Sequence, residues 1–305
     1  MPRWSRAWLD TPAHSGVVGA RGATAADRPL TVILIPADGG TEAGTKADYQ
    51  PLFNAVARTS GLRFEIRVAQ SYGAVVEALC NGTADIAFVG PVTYIQAHNR
   101  HCAELLAVAV EKGQSIYYAG LFARVGSPIT SVKGLKGKRV AFGDVNSTSS
   151  FIYPMAMILD AGLDPVRDLK DVRITGSHAN SLAALTQGQV DVAALSFDSF
   201  DKAVRQGAVK ANSVKVVARS DAIPYPPIIM NAKLAAPLKA RLKLAFRNVH
   251  LAPGVTPEMI RGYGGGKVDR YDSGFHAAKF NVAARKMSRL TDELKGEILK
   301  KSAQR

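Results

Sequence analysis

The sequence predicts an α/β protein made of two doubly wound lobes, joined by two hinge crossings around a central cleft. Three observations carry this prediction. From Leu30 onward the chain reads strand, loop, helix, strand, which opens a doubly wound unit. One helix–strand unit then occurs twice, far apart in the chain. Between and after the two copies lie long apolar segments placed to cross from one lobe to the other. The 305 residues, 47% hydrophobic and 21% charged, have an ordinary globular composition with room for two cores.

The elements follow in order. "LTVILIP" (30–36) is a continuous apolar run, the pattern of a strand buried on both faces of a parallel sheet. A polar, Gly-rich loop covers 37–48. "YQPLFNAVARTSG" reads as a helix, with Pro51 in its first turn and Gly61 as its end cap. "LRFEIRVA" alternates as a strand does. "SYGAVVEALCNGTADIAFVG" (71–90) and "SHANSLAALTQGQVDVAALS" (177–196) superpose without a gap at an offset of 106 residues. Ser71 falls on Ser177, Tyr72 on His178, Gly82 on Gly188 and Asp85 on Asp191. Two copies make two lobes rather than a solenoid. "QSIYYAGLFARVGSPI" (114–129) reads as a long strand leaving the first lobe, and the Pro-rich "IPYPP" (223–227) as the return crossing. "LKARLKLAFRNVH" and "SRLTDELKGEILKKSAQ" are amphipathic helices. Residues 29–120 with 227–305 form lobe one, and 121–226 form lobe two. Residues 1–28 read as a disordered or residual leader segment, basic and rich in small residues but without an apolar signal stretch.

The formal net charge of +14 favours anionic partners. The Lys and Arg are scattered, with no basic block interleaved with aromatics, so no nucleic-acid partner is expected. No run of about 18 apolar residues exists to span a membrane. Cys80 and Cys102 have no metal spacing; Cys80, in an apolar helix-like run, reads as a buried thiol, and a Cys80–Cys102 disulfide is the alternative that an oxidising compartment would allow. No metal and no cofactor are expected. Gly-x-Ser-x-Gly and Walker-type loops are absent. His98, His101 and Glu104 share a spacing that could mimic a metal face, but an exposed polar helix end fits better. "GYGGGK" (262–267) reads as a flexible turn.

One motif stands out. Ser147, Thr148, Ser149 and Ser150 lie between a strand ("RVAFG") and a helix ("FIYPMAMILDAG"). A helix start offers unpaired backbone N–H groups and a positive dipole end, and an anion there gains from both. Ser and Thr are also ordinary helix caps, but one residue suffices for that. Spacing alone leaves anion binding and capping balanced. Tyr72 and His178 hold matching positions, each at a helix start facing the cleft; a polar surface residue or a helix cap is the plainer alternative for His178. Tyr94 reads from its own position as a core-facing helix residue. Ligands of open α/β sheets bind beyond the carboxyl ends of the strands, so the cleft is the expected site.

These residues resemble a known family. "NSTSSFIYP" is similar to the Ser-Thr-Ser motif of phosphate/phosphite/phosphonate-binding proteins, the periplasmic receptors of ABC importers. "SYGAVVEALCNGTADIAFVGPVTYIQA" and "GSHANSLAALTQGQVDVAALSFDSFD" resemble two further segments of that family, in the same order, over about 30–271. The resemblance implies a type II periplasmic-binding-protein fold. It implies a small phosphorus oxyanion (phosphonate, phosphite or phosphate) held by Ser147, Thr148, Ser149 and His178, with Tyr72 and Tyr94 closing from lobe one and Asp198 at a matching acidic position. It further implies a monomer in the periplasm that delivers to a membrane permease, and no catalysis. A sensing module for a signalling partner, or an enzyme on the same fold, are the alternatives. Aminophosphonate binders of the family carry a carboxylate in a Pro-Gly-Asp-Pro-like bend. Here the bend is "IPYPP", which puts an amine-bearing ligand in doubt.

Overall fold

The computed structural model describes residues 28–37 and 42–304. The expected leader segment, up to residue 27, lies outside the described residues. The strands are β1 (Leu30–Leu34), β2 (Phe64–Val68), β3 (Ile86–Phe88), β4 (Ala103–Val110), β5 (Ile116–Tyr117), β6 (Ala119–Arg124), β7 (Arg139–Phe142), β8 (Asp171–Ile174), β9 (Val192–Ser196), β10 (Val214–Arg219), β11 (Ile223–Pro224), β12 (Pro227–Asn231) and β13 (Arg270–Asp272). The α-helices are α1 (Glu42–Ser60), α2 (Tyr72–Cys80), α3 (Pro91–Asn99), α4 (Tyr153–Asp160), α5 (His178–Thr186), α6 (Phe197–Arg205), α7 (Ala236–Asn248), α8 (Asn281–Met287) and α9 (Asp292–Ala303).

Two sheets form, one per lobe. The first runs β13-β4-β12-β3-β1-β2 and the second β10-β6-β9-β7-β8. Their orders correspond. In each, the first strand of the lobe pairs in parallel with the two that follow it, and a strand arriving from the other lobe lies antiparallel beside the third. Val32, Ile86, Val140 and Val192 are fully buried. This is why those segments read as unbroken apolar runs: helices cover both faces.

The repeated unit repeats in detail. Ser71 caps α2 by accepting the Ala74 N–H, and Ser177 caps α5 by accepting the Asn180 N–H. Gly82 and Gly188 both take the left-handed conformation after their helices, at φ of 74° and 75°, where a side chain would be strained. Asp85 accepts the Thr31 N–H and pairs with Arg28. Asp191 accepts the Arg139 N–H and pairs with the Arg139 side chain. Each carboxylate ties the third strand of its lobe to the first, at the end away from the cleft.

The strand expected over 114–129 breaks at Tyr118 into β5 and β6. β5 pairs with β11 as a two-stranded ribbon between the lobes, Tyr117 opposite Ile223. Two expectations are corrected. Cys80 is not a buried free thiol but forms the disulfide with Cys102, joining the end of α2 to the residue before β4; the two segments converge because β3 and β4 flank β12 in one sheet. The tail does not belong wholly to lobe one. α8 packs against both α3 and α4, and α9 lies on β8, with Leu290 and Ile298 in the second lobe's core. Leu290, Leu294 and Ile298 make one apolar stripe at helical spacing, and that stripe finds its cover on the second lobe. The Ile174 N–H donates to Ser302 Oγ at 3.1 Å to fix it there.

Candidate functional site

The hydroxyl run is built by a tight turn after β7. The Gly143 N–H donates to the Ser150 carbonyl at 3.2 Å. A Cβ on Gly143 would come 2.2 Å from Ser150 Oγ, so only glycine fits. The Asn146 N–H donates to Asp144 Oδ1 and the Ser147 N–H to the Asp144 carbonyl. Thr148–Ile152 then form a π-turn that runs into α4, where Pro154 occupies the first turn. All four hydroxyl residues are buried. The cap of this turn is Ser147, whose Oγ accepts the Ser150 N–H at 3.2 Å. A hydroxyl that accepts this bond keeps its proton to donate. Ser150 Oγ faces Gly143 and makes no hydrogen bond.

Lobe one meets this loop directly. The Val92 N–H, in the first turn of α3, donates to Thr148 Oγ1 at 2.9 Å. Thr93 Oγ1 donates to the Asn146 carbonyl, and Gln96 Nε2 to Asn146 Oδ1. The Tyr72 N–H, which opens α2, donates to Asp144 Oδ2 at 3.2 Å. Burial raises the Asp144 carboxyl above the usual range, while the N–H groups of Asn146 and Tyr72 pull it back. Four helical starts therefore converge here: α2 and α3 from lobe one, the π-turn and α5 from lobe two. Their positive ends favour a negative charge between them.

His178, the first residue of α5, is fully buried. Its backbone N–H donates to the Ala37 carbonyl of lobe one at 2.9 Å. The Ser196 N–H donates to Nδ1 at 3.0 Å, so the ring proton sits on Nε2, which faces Tyr263 Oη at 3.0 Å. Burial lowers the imidazole to about 3. His178 is a neutral donor held in one tautomer.

Several residues beyond the expected set join it. Tyr117 on β5 is buried and sets its hydroxyl against Ser149 and Thr148; burial raises its phenol far above the ordinary value, and Asp198 adds to this. The Tyr117 ring lies edge-on to Tyr225 and Tyr263, with centroids 6.1 and 5.9 Å away. One signal could have found Tyr117: a crossing strand necessarily passes the cleft, and "QSIYYAG" puts two aromatics on it. Nothing in the sequence marks Asp144 or Tyr263.

Of the expected residues, Ser147, Thr148, Ser149, His178 and Tyr72 come together. Asp198, in the first turn of α6, stands close enough to raise the phenols of Tyr117 and Tyr225. Tyr94 does not join them. Its ring packs on His98 and Phe280, at 5.5 and 5.1 Å, in lobe one's core. Burial and then Glu104 raise its phenol. The next-door Thr93 takes the cleft face of α3 instead, because successive helical residues point about 100° apart. The spacing of His98, His101 and Glu104 makes no metal face: His98 Nδ1 contacts the Ala103 carbonyl and Glu104 pairs with Lys239.

The profile of a family described as "ABC transporter, phosphonate, periplasmic substrate-binding protein" matches residues 40–265. The chain is 31% identical to the phosphate-import protein PhnD of Mycolicibacterium smegmatis over 77% of its own length and 76% of that protein's. Among solved structures, it resembles PhnD1 of Prochlorococcus marinus, crystallised with methylphosphonate, at TM-score 0.75 and 15% identity, covering 86% of this chain and 97% of that one. It also resembles a binding-protein component of the phosphonate ABC transporter of Pseudomonas aeruginosa, at TM-score 0.73 and 21% identity, covering 90% and 97%. The fold is the type II periplasmic-binding-protein fold.

Proposed function

Because the chain belongs to the periplasmic phosphonate-binding proteins of ABC transporters, we propose that its interlobe cleft captures a small phosphorus oxyanion and presents it to a membrane permease. One observation carries the reading: the hydroxyl loop, neutral His178 and the start of α2 converge from both lobes on one buried point. Ser147, Thr148, Ser149 and His178 Nε2 donate to the phosphoryl oxygens, and the hydroxyls of Tyr72 and Tyr117 complete the set. Tyr94 is left out because its ring lies in lobe one's core. Asp198 lines the cavity beyond Tyr263 and touches no phosphoryl oxygen, but its charge, near enough to raise the Tyr117 phenol, disfavours sulfate, which carries no proton near neutral pH.

The relatives bracket the ligand. One is named for phosphate import and one was solved with methylphosphonate. In this chain the bend holds Tyr225 instead of a carboxylate, which favours a ligand without an amine. The chain works as a monomer in the periplasm, where the Cys80–Cys102 bridge suits an oxidising compartment. It binds without converting: the one lone pair of the neutral His178 ring, on Nδ1, already accepts the Ser196 N–H, so His178 is a donor and not a base that could activate a hydroxyl.

The energetics fit a receptor. Bonds to a charged group contribute about 1.5–3 kcal/mol each. At the lower end of that range the six donors together give roughly 10 kcal/mol, and association costs about 4 kcal/mol or more. The remainder corresponds to a dissociation constant of tens of micromolar, tightened by the converging helix starts. The test is thermal melting with phosphite, phosphate, methylphosphonate, 2-aminoethylphosphonate and sulfate. At least one phosphorus compound is expected to raise the melting temperature and sulfate is not. No shift with any phosphorus compound would remove the reading.

A further inference from the structure

The glycine-rich segment 262–267, expected to be a flexible turn, is instead wedged into the cleft. Tyr263 is buried. Its N–H donates to Tyr225 Oη at 2.9 Å. Its hydroxyl lies 3.0 Å from His178 Nε2 and 3.1 Å from Ser199 Oγ, both of lobe two. Its ring meets Phe88, Tyr117 and His178 at 6.0, 5.9 and 6.1 Å. The glycines permit this closeness. A Cβ on Gly262 would come 2.6 Å from Val268 Cγ1 and 2.7 Å from Tyr225 Oη, and one on Gly265 would come 2.5 Å from Asp48 Oδ1. Gly264 and Gly265 both take left-handed φ, 64° and 68°.

One side of Tyr263 thus faces the anion site. The other side, with Tyr225, lines a separate cavity of 330 Å³ whose wall includes Glu111, Asp198, Asp201 and Arg205. From this geometry we infer that Tyr263, held by Tyr225, is a partition that sets the length of the bound ligand. With it in place, the anion site admits a phosphorus centre bearing hydrogen, hydroxyl or methyl, and shuts out a substituent of two or more carbons. Without it, the two spaces join and a longer substituent extends into the outer cavity, among groups of both charges. This inference rests on the ligand class proposed above and adds its size limit.

The test is calorimetric titration of the full chain with methylphosphonate, propylphosphonate and 2-aminoethylphosphonate. The wild type is expected to favour methylphosphonate over both longer ligands by at least about tenfold. Tyr263→Ala should shrink that preference at least about tenfold. Tyr263→Phe, which keeps the ring and loses the hydroxyl, should keep it. Should Tyr263→Ala not fold, Tyr225→Phe, which frees the Tyr263 N–H, should shrink the preference in part. The inference is overturned if the wild type binds propylphosphonate as well as methylphosphonate, or if Tyr263→Ala or its stand-in leaves the preference unchanged. A wild type that binds none of the three, nor phosphate or phosphite, overturns the ligand class itself, and the size limit falls with it. Binding of phosphate or phosphite alone sinks only the size limit, since methyl would then be shut out too.

Discussion

Thr148 and His178 show how single side chains serve both fold and ligand. Thr148 Oγ1 accepts a lobe-one N–H while its own proton stays available, so it senses whether the lobes are together. His178 is neutral because it is buried, and burial lowers it to about 3, against about 6.5 in an unfolded chain. Between these values the unfolded chain binds a proton that the folded chain refuses. His178's contribution is therefore whole above about pH 6.5 and is lost as pH falls toward 3. At pH 5 the loss is roughly 2 kcal/mol. Urea melts of wild type and His178→Gln at pH 7 and pH 5 check this: the wild type should lose more stability on acidification, and equal losses would refute it. Residue roles were only partly legible. The Ser-Thr-Ser run and His178 announced themselves by type and by matched position. Tyr94 read from its own position as core-facing, and its ring lies in lobe one's core; only the family resemblance set it at the cleft, one helical step from the cleft-facing Thr93. Tyr117 was hidden in a strand whose apolar pattern looked like core.

At the scale of elements, the most legible feature was the repeated helix–strand unit, and the structure explains why. Each copy needs a capping serine, a left-handed glycine and a carboxylate tying two strands together, and those demands fix residue types at fixed spacing. Asp85→Asn should lower stability by about 1–3 kcal/mol through the lost charged bonds to Arg28 and the Thr31 N–H. Ligand affinity should hold, because Asp85 lies at the strand end away from the cleft. Chemical denaturation with a parallel ligand titration separates the two, and an affinity loss matching the stability loss would contradict this placement. Gly90→Ala is expected to do the reverse. The added Cβ would sit 3.0 Å from Thr148 Oγ1, on the surface where α3 meets the hydroxyl loop. It should weaken affinity several-fold while leaving each lobe's own packing untouched. What the sequence hid at this scale was the π-turn and the break at Tyr118, since neither disturbs hydrophobic periodicity.

Across the whole molecule, the two-lobe plan followed from the duplicated unit, but the path of the tail did not. An amphipathic stripe shows that α9 must be covered, not by which lobe. The cleft is spanned by contacts of several kinds: the Lys202–Asp48 ion pair at its edge, the Tyr72–Asp144 and Val92–Thr148 bonds inside, and the Tyr263 wedge between. They place the hydroxyl loop out of water, where bonds to an anion count most. The measurement that bears most directly on this account is calorimetric titration of wild type and Ser147→Ala with phosphate, phosphite and methylphosphonate. The wild type should bind at least one of them with a dissociation constant of tens of micromolar or tighter. Ser147→Ala should bind it about 1–3 kcal/mol more weakly, roughly 5- to 150-fold, through a lost charge-assisted bond. Equal affinity in the two proteins, with Ser147→Ala merely less stable, would make the hydroxyl run a helix cap and nothing more.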